Sequence, residues 1–299
     1  MSAHGGADTA PVSRDEKTEH AVSDEGRTGV HSAGFTAEQI DTGRPHPARM
    51  YDYYLGGQDN YEVDRAAAER VIELLPDIRT AARENRGFLR RATRAVVGRG
   101  IRQIIDIGTG IPTSPNTHEV ARATDPDVRV AYVDNDPIVS TYAGAKLIND
   151  GNAEFALADL RDPASILAHP AVTELIDLGR PVALMLVAIL HFIDDADDPA
   201  GIVAALTEPL PPGSCLVLSH GTSDFHDPGR LRAVSDVYRE ATAALTLRPR
   251  ARVLEFFDGF DLIDPPGLVQ PPFWQPERPV PEDPVLHGLG FYCGVGVKR

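Results

Sequence analysis

The chain has 299 residues and a formal net charge of −15, from 44 Asp and Glu against 29 Lys and Arg. So acidic a chain grips nucleic-acid phosphates and anionic membranes poorly, which leaves small molecules or proteins as partners. Hydrophobic residues make up 42%, enough to fill a sizeable core.

Two cysteines, Cys215 and Cys293, sit in apolar runs with no CxxC pattern or Cys/His cluster around them. They read as buried thiols rather than a disulfide. No apolar run approaches the roughly 18 residues of a spanning helix, and no N-terminal segment reads as a secretory signal. The expectation is a cytoplasmic protein without nucleic-acid or membrane partners, and a homodimer stays open.

Residues 1–45 are rich in Gly, Ser, Thr, Asp and Glu and are expected to be a disordered tail, with Phe35 and Ile40 as its first anchors. Residues 46–100 read as an N-terminal helical cap or lid. Tyr51, Tyr53, Tyr54 and Tyr61 surround Gly56-Gly57, with Arg49, Asp52, Asp59 and Asn60 between them. Aromatics beside glycine suit a lid or pocket wall. A helical turn whose tyrosines pack on the body is the alternative. Helices are expected from Glu62 to Leu75, stopped by Pro76, and from Asp77 to Val97. The second has an apolar row, Ile78, Ala82, Leu89, Ala92 and Val96, with Asn85 as its polar exception. Its other side carries Arg79, Arg83, Arg86, Arg90 and Arg94, which read as a solvated face or, failing that, an anion-binding stripe.

The next stretch organises the rest. Gln103 to Ile107 is a buried strand with an acid, Asp106, at its carboxyl end, and Gly108-Thr109-Gly110 follows as a tight turn. Further strands are expected over 128–133, 153–158, 182–190, 214–219, 260–263 and 291–297. Helices between them fall over 117–123, 137–149, 163–178, 199–206, 228–245 and 251–257. Such alternation gives a doubly wound parallel sheet. The last connection is a proline-rich loop with no room for a crossover helix, so the last two strands should pair antiparallel. The fold class is α/β, a doubly wound Rossmann-like sheet of about seven strands with the last strand antiparallel, plus the N-terminal helical cap.

Asp106, Asp134 and Asp159 end the first three strands, where ligands of such sheets bind. Asp134 follows Gly110 at close to the roughly 20-residue spacing of a ribose contact. Each acid alone suits a helix N-cap. Three at successive strand ends favour a nucleoside-containing cofactor. A dinucleotide fits badly: Thr113 stands where the third glycine of GxGxxG belongs, and Pro112 and Pro115 remove N–H groups that a pyrophosphate needs. No Tyr-Lys pair for an NAD-linked reductase can be placed.

IIDIGTG, AYVDND, ALADLRDP and LMLVAILHFIDD resemble the motifs of class I S-adenosylmethionine-dependent methyltransferases. ARMYDYYLGGQDNYEVDR, ARENRGFLRRATR and FFDGFDLIDPPGLV resemble an actinobacterial methyltransferase family formerly known as a domain of unknown function. The resemblance covers about 45–299 and makes 101–299 the S-adenosylmethionine-binding methyltransferase domain. It implies backbone passage beside the methionine part at Gly108, Thr109 and Gly110, with Asp106 near the ammonium. Asp134 would take the ribose hydroxyls, Asn135 would lie by the adenine, and Asp159 and the Leu160 N–H would meet adenine nitrogens. Ala188 and Ile189 would flank the cofactor. The block with Arg49, Tyr53, Gly57 and Asn60 is similar to the family's N-terminal motif, and its closing over the cofactor is an inference the wider superfamily does not supply.

Methyl transfer needs alignment above all. His191, at the end of the fourth strand, is the expected base if one is used, with His220 second. No metal cluster is evident, and the Asn/Asp-Pro-Pro-Tyr motif of amide- and base-methylating enzymes is missing. The function expected is methylation of a small-molecule substrate at oxygen or nitrogen, with a non-catalytic S-adenosylmethionine-binding module as the alternative.

Overall fold

A computed structural model describes residues 41–147 and 151–299. Most of the expected tail, with Phe35 and Ile40, lies outside the described residues. The described residues belong to one compact unit.

Three helices precede the sheet: α1 (Pro47–Leu55), α2 (Glu62–Leu74) and α3 (Ile78–Gly98). The sheet is built from β1 (Gln103–Ile107), β2 (Arg129–Asp134), β3 (Ala153–Leu157), β4 (Ala183–Val187), β5 (Cys215–Gly221), β6 (Phe260–Leu262) and β7 (Phe291–Lys298). Its order is β3-β2-β1-β4-β5-β7-β6. The first five positions are parallel, and β7 runs antiparallel to both of its neighbours. The short proline-rich return explains that reversal, as expected.

The connections are α4 (Thr117–Arg122), α5 (Pro137–Lys146), α6 (Pro163–Ala168), α7 (Pro170–Thr173), α8 (Pro199–Thr207), α9 (Pro228–Arg239), α10 (Arg250–Glu255) and α11 (Pro284–His287). Both faces of the sheet are covered. On one, Ile105, Ala131, Leu184 and Leu216 pack against α6, α8 and α10 through Ile166, Ile202 and Val253. On the other, Ile104, Val130, Met185 and Val217 pack against α3 through Phe88, Leu89 and Val96. Strands buried on both faces require the unbroken apolar runs found in the sequence. Trp274 meets Phe88 edge-on, and Arg91 donates to the Trp274 and Pro271 carbonyls at 2.9 and 2.5 Å. The proline-rich loop is thereby fastened to α3.

Four elements depart from expectation. The helix over 163–178 is two short helices, because Pro170 cannot donate and His169 Nδ1 accepts from the Ala171 N–H. The fourth strand stops at Val187, since Ala188 takes φ +59° and the chain enters a 3-10 turn, Leu190–Phe192. The fifth runs on through Gly221, so His220 lies inside it. Helix α9 ends at Arg239 rather than 245. The Thr242 and Thr246 N–H groups bond to the Pro45 and His191 carbonyls instead of to a further helical turn.

The N-terminal helices sit against α9. Met50, Tyr54, Ala68 and Val71 pack on Leu231, Val234 and Tyr238. A buried ionic joint accompanies that apolar one. Arg49, 1% exposed, lies 3.6 Å from Asp64 and 3.9 Å from Asp136 at the start of α5, and it donates to the Asp41 and Arg44 carbonyls. His46 Nδ1 stands 3.3 Å from the same Asp136 oxygen. Removing one partner strands the others without water. Arg49→Met should therefore cost about 3 kcal/mol or more of unfolding free energy by urea denaturation. An unchanged midpoint would refute the joint.

Candidate active site

The sheet reverses order between β1 and β4, and a cavity of about 450 Å³ opens at their carboxyl ends. Its floor is the β1 turn. Gly108 (φ +75°) passes so close to Ile189 that a Cβ would lie 2.6 Å from Ile189 Cγ1. Gly110 (φ +66°) donates its N–H to Asp134 Oδ2 at 2.8 Å. Thr109 Oγ1 donates to the Asp106 carbonyl. Opposite, Ala188 holds its left-handed conformation while its N–H donates to the Ser219 carbonyl and hydroxyl. A non-glycine residue in that region is strained and persists only where the surroundings impose it. Helix α1 contributes Pro47, Ala48, Arg49 and Tyr51 to the roof.

All three strand-end acids line this cavity. Asp106 is buried. Its Oδ2 accepts from Thr117 Oγ1 at 2.6 Å, and burial raises its pKa. Asp134 is buried as well, and burial pushes its carboxyl up to about 6. Its oxygens accept from backbone donors, the Gly110 N–H on Oδ2 and the Asp136 N–H on Oδ1, with the Asn135 N–H adding to them, and four lone pairs leave capacity over. Asp159 is the opposite case. Burial alone would raise it, but bonds from the Arg161 side chain and N–H and from Asn135 hold it down at about 2.

These residues fit S-adenosylmethionine, with one reservation of chemistry. Asp134 has two acceptor positions for a diol. Leu160 lines the cavity, and its N–H makes no hydrogen bond among the described residues. Gly108 and Gly110 leave backbone where a side chain would intrude. Asp159, however, already accepts four bonds from Arg161 and Asn135, so an adenine amino group would have to compete for it.

Asp106, Gly108, Thr109, Gly110, Asp134, Asn135, Asp159, Leu160, Ala188, Ile189 and Arg49 are brought together around the cavity. Tyr53, Gly57 and Asn60 are not. The Tyr53 hydroxyl bonds to Glu69, with Arg79 over its ring. A Cβ at Gly57 would lie 2.0 Å from Asp52 Oδ1, and Asn60 Nδ2 donates to Asp52 Oδ2 at 2.7 Å. Gly57 and Asn60 build the turn between α1 and α2, and Tyr53 ties α1 to α2 through Glu69, so these three position the roof without lining the cavity.

His191 also lies off the cavity, in an adjoining aromatic chamber of about 70 Å³ that shares Pro47, Tyr51 and Phe192 with it. Burial pushes its pKa well down, so the ring is neutral. Its Nδ1 accepts from the Gly221 N–H at 3.1 Å, which puts the proton on Nε2 and leaves no lone pair to take another. His220 is likewise used up. Its Nδ1 donates to the Gly221 carbonyl at 2.6 Å, and its Nε2 accepts from Arg248.

Tyr51, expected in a lid or pocket wall, and Arg86, expected on a solvated or anion-binding stripe, both line the cavity, as do Asn85 and Phe192, to which the sequence assigns no site role. Asn85 carried a signal, as the polar member of an apolar row. Arg86 leaves the solvated stripe to donate to the Thr113 and Pro115 carbonyls at 2.7 and 3.1 Å, tying the glycine turn to α3.

Residues 33–299 match the family described as S-adenosyl methyltransferase. The chain belongs to that family. It is similar to a crystal structure of a DUF574-family protein from Streptomyces avermitilis, with 42% identity and a TM-score of 0.82 over 87% of this chain and all of that one. It is also similar to a proposed methyltransferase from Thermobifida fusca, with 37% identity and a TM-score of 0.80 over 87% of this chain and 97% of that one. No functionally curated protein matches it. The chain is an S-adenosylmethionine-dependent methyltransferase, and among its described residues no helix is long and apolar enough to cross a membrane.

The close approach of β1 and β4 predicts the effect of a single methyl group. Gly108→Ala should lose about 2 kcal/mol of stability or more from the left-handed backbone and the clash with Ile189. Thermal melts of G108A and of G108A/Ile189→Ala would check it. The double variant should recover only part of the loss, because the φ cost remains.

Proposed function

We propose that this methyltransferase acts on a small molecule, at an oxygen or an amine, by in-line transfer. When bound, S-adenosylmethionine supplies an electrophilic methyl on a sulfonium. The observation that carries the reading is the gathering of Asp106, Asp134 and Asp159 around one cavity, roofed by α1 and joined to an aromatic chamber. Asp134 takes the ribose hydroxyls, the Leu160 N–H meets the adenine, and the β1 turn runs beside the methionine part. Helix α1, with Arg49 locked into its base, closes the cavity from the cap side and keeps water from the transfer. The net charge of −15 supports an uncharged or cationic acceptor over a polyanion.

With both nearby histidines lacking a usable lone pair, the acceptor brings its own nucleophile, an amine or an easily ionised hydroxyl. The protein contributes alignment. Incubation of a small-molecule extract with methyl-labelled S-adenosylmethionine should put label into the low-mass fraction, and Asp134→Ala should abolish it. Label confined to protein or nucleic acid would overturn the small-molecule acceptor.

The raised Asp134 pKa gives a pH dependence. Two hydroxyl donors favour its ionised form, so the bound pKa falls below the free value of about 6. Affinity for S-adenosylhomocysteine should therefore rise as pH is raised through 6 and level off above about 7. Calorimetry between pH 5 and 8 measures it, and Asp134→Asn should flatten the profile while weakening binding by about 100-fold.

A further inference from the structure

We infer that the aromatic chamber beside the cavity receives the non-reacting end of the methyl acceptor. That end is a small uncharged apolar group bearing an oxygen, which the His191 Nε2–H holds. The inference rests on the reading that the cavity holds S-adenosylmethionine with an acceptor beside it.

The chamber and the cavity meet at Pro47, Tyr51 and Phe192, which line both. Behind that junction stand Tyr54, Tyr238 and Phe291, with aliphatic side chains of α2, α3 and α9. Room of about 70 Å³ takes roughly five water-sized groups. That suits a short branched chain and not a fused ring system.

His191 gives the chamber a direction. Its ring lines the chamber, is 4% exposed, and lies against Phe192 and Phe291 with centroids 4.4 and 5.7 Å away. With Nδ1 occupied by the Gly221 N–H, Nε2 carries the proton, and it makes no hydrogen bond among the described residues. It is not sealed off either, unlike the unbonded Asn85 Oδ1 and Trp274 Nε1. A buried N–H without an acceptor is costly, and a ligand oxygen removes the cost. Tyr54 and Tyr238 add a second donor. Their hydroxyls share a single bond at 3.2 Å, so one of the two protons is left without an acceptor among the described residues.

Charge narrows the occupant. Among the described residues that line the chamber none is Lys or Arg, and the one acid, Asp77, has His226 Nε2 3.7 Å away. An ionised group would be desolvated there without a free counter-ion, which is costly. An uncharged carbonyl or ether oxygen meets the donors without that cost.

The test uses nuclear magnetic resonance on the full chain with S-adenosylhomocysteine present and two probes of nearly equal size, methyl isopropyl ketone and isobutyrate. The ketone should move the His191 Nε2 resonance and bind at least about tenfold tighter than isobutyrate, whose charge finds no partner. His191→Asn keeps an oxygen for the Gly221 N–H but removes the Nε2 donor. It should weaken the ketone about fivefold and S-adenosylhomocysteine less than about twofold. His191→Gln returns an N–H near the Nε2 position and should recover part of the ketone affinity. Leu245→Trp fills the chamber from a half-buried position. It should abolish ketone binding and, with it, label transfer to the low-mass fraction, while S-adenosylhomocysteine still binds. No ketone-dependent shift at His191, isobutyrate binding as tightly as the ketone, or unchanged ketone affinity in H191N would each overturn the proposal. So would an L245W that loses the ketone yet still transfers label, because the acceptor would then lie elsewhere. Weakening of S-adenosylhomocysteine alongside the ketone in both His191 variants would overturn it by making the ring's role structural. A wild-type chain that takes the ketone but no S-adenosylhomocysteine would overturn the cofactor reading itself.

Discussion

The site depends on how closely two strand ends can approach. β1 and β4 are neighbours in the sheet but far apart in sequence, and each must leave the sheet in a different direction. Gly108 makes this possible by having no side chain where Ile189 stands, and Ala188 makes it possible by accepting a left-handed backbone. The cavity is the space between the two departing loops. On its other side the same turn meets the end of β2, where the Gly110 N–H donates to Asp134 Oδ2 at 2.8 Å. The carboxylate's position and the turn's geometry are thus one constraint.

The roof is fixed by a different kind of interaction. Apolar packing of α1 and α2 on α9 supplies the favourable free energy of seating it. The cluster of Arg49, Asp64, Asp136 and His46 adds little of that, since desolvating four ionisable groups offsets their attraction. Its effect is on register. Arg49 of α1 reaches Asp64 of α2 and Asp136 before α5 together, so the observed seating is one that pairs this buried charge.

Much of this was legible because the relevant signals are local. A strand ending in an acid followed by two spaced glycines can be read without knowing its neighbours, and so can continuous apolar runs that must be buried twice. What escaped depends on contacts between distant segments. Gly57 and Asn60 look like ligand-facing residues until Asp52 is seen to occupy both. His191 stands at the right strand end, yet the Gly221 N–H, 30 residues on, takes its lone pair. The early end of α9 follows from carbonyls of Pro45 and His191 that no helical periodicity reveals. Arg86 belonged to a stripe of similar arginines, and only the Thr113 and Pro115 carbonyls distinguish it.

The two acids at the ends of β2 and β3 divide the work of binding unequally. Asp159 is already neutralised by Arg161, so a ligand that used it would exchange one charge-assisted bond for a weaker neutral one and gain little. Asp134 has no cation bonded to it, only backbone donors, and burial has raised its free energy in the ionised form. Hydroxyls that reach it relieve that cost directly. On the proposed placement of the cofactor, the ribose contact would carry the steepest gain, and the adenine end would be held by the Leu160 N–H and by fit. In that placement discrimination among nucleosides should fall more heavily on the sugar than on the base, because the sugar would meet a carboxylate to which the protein has bonded no cation.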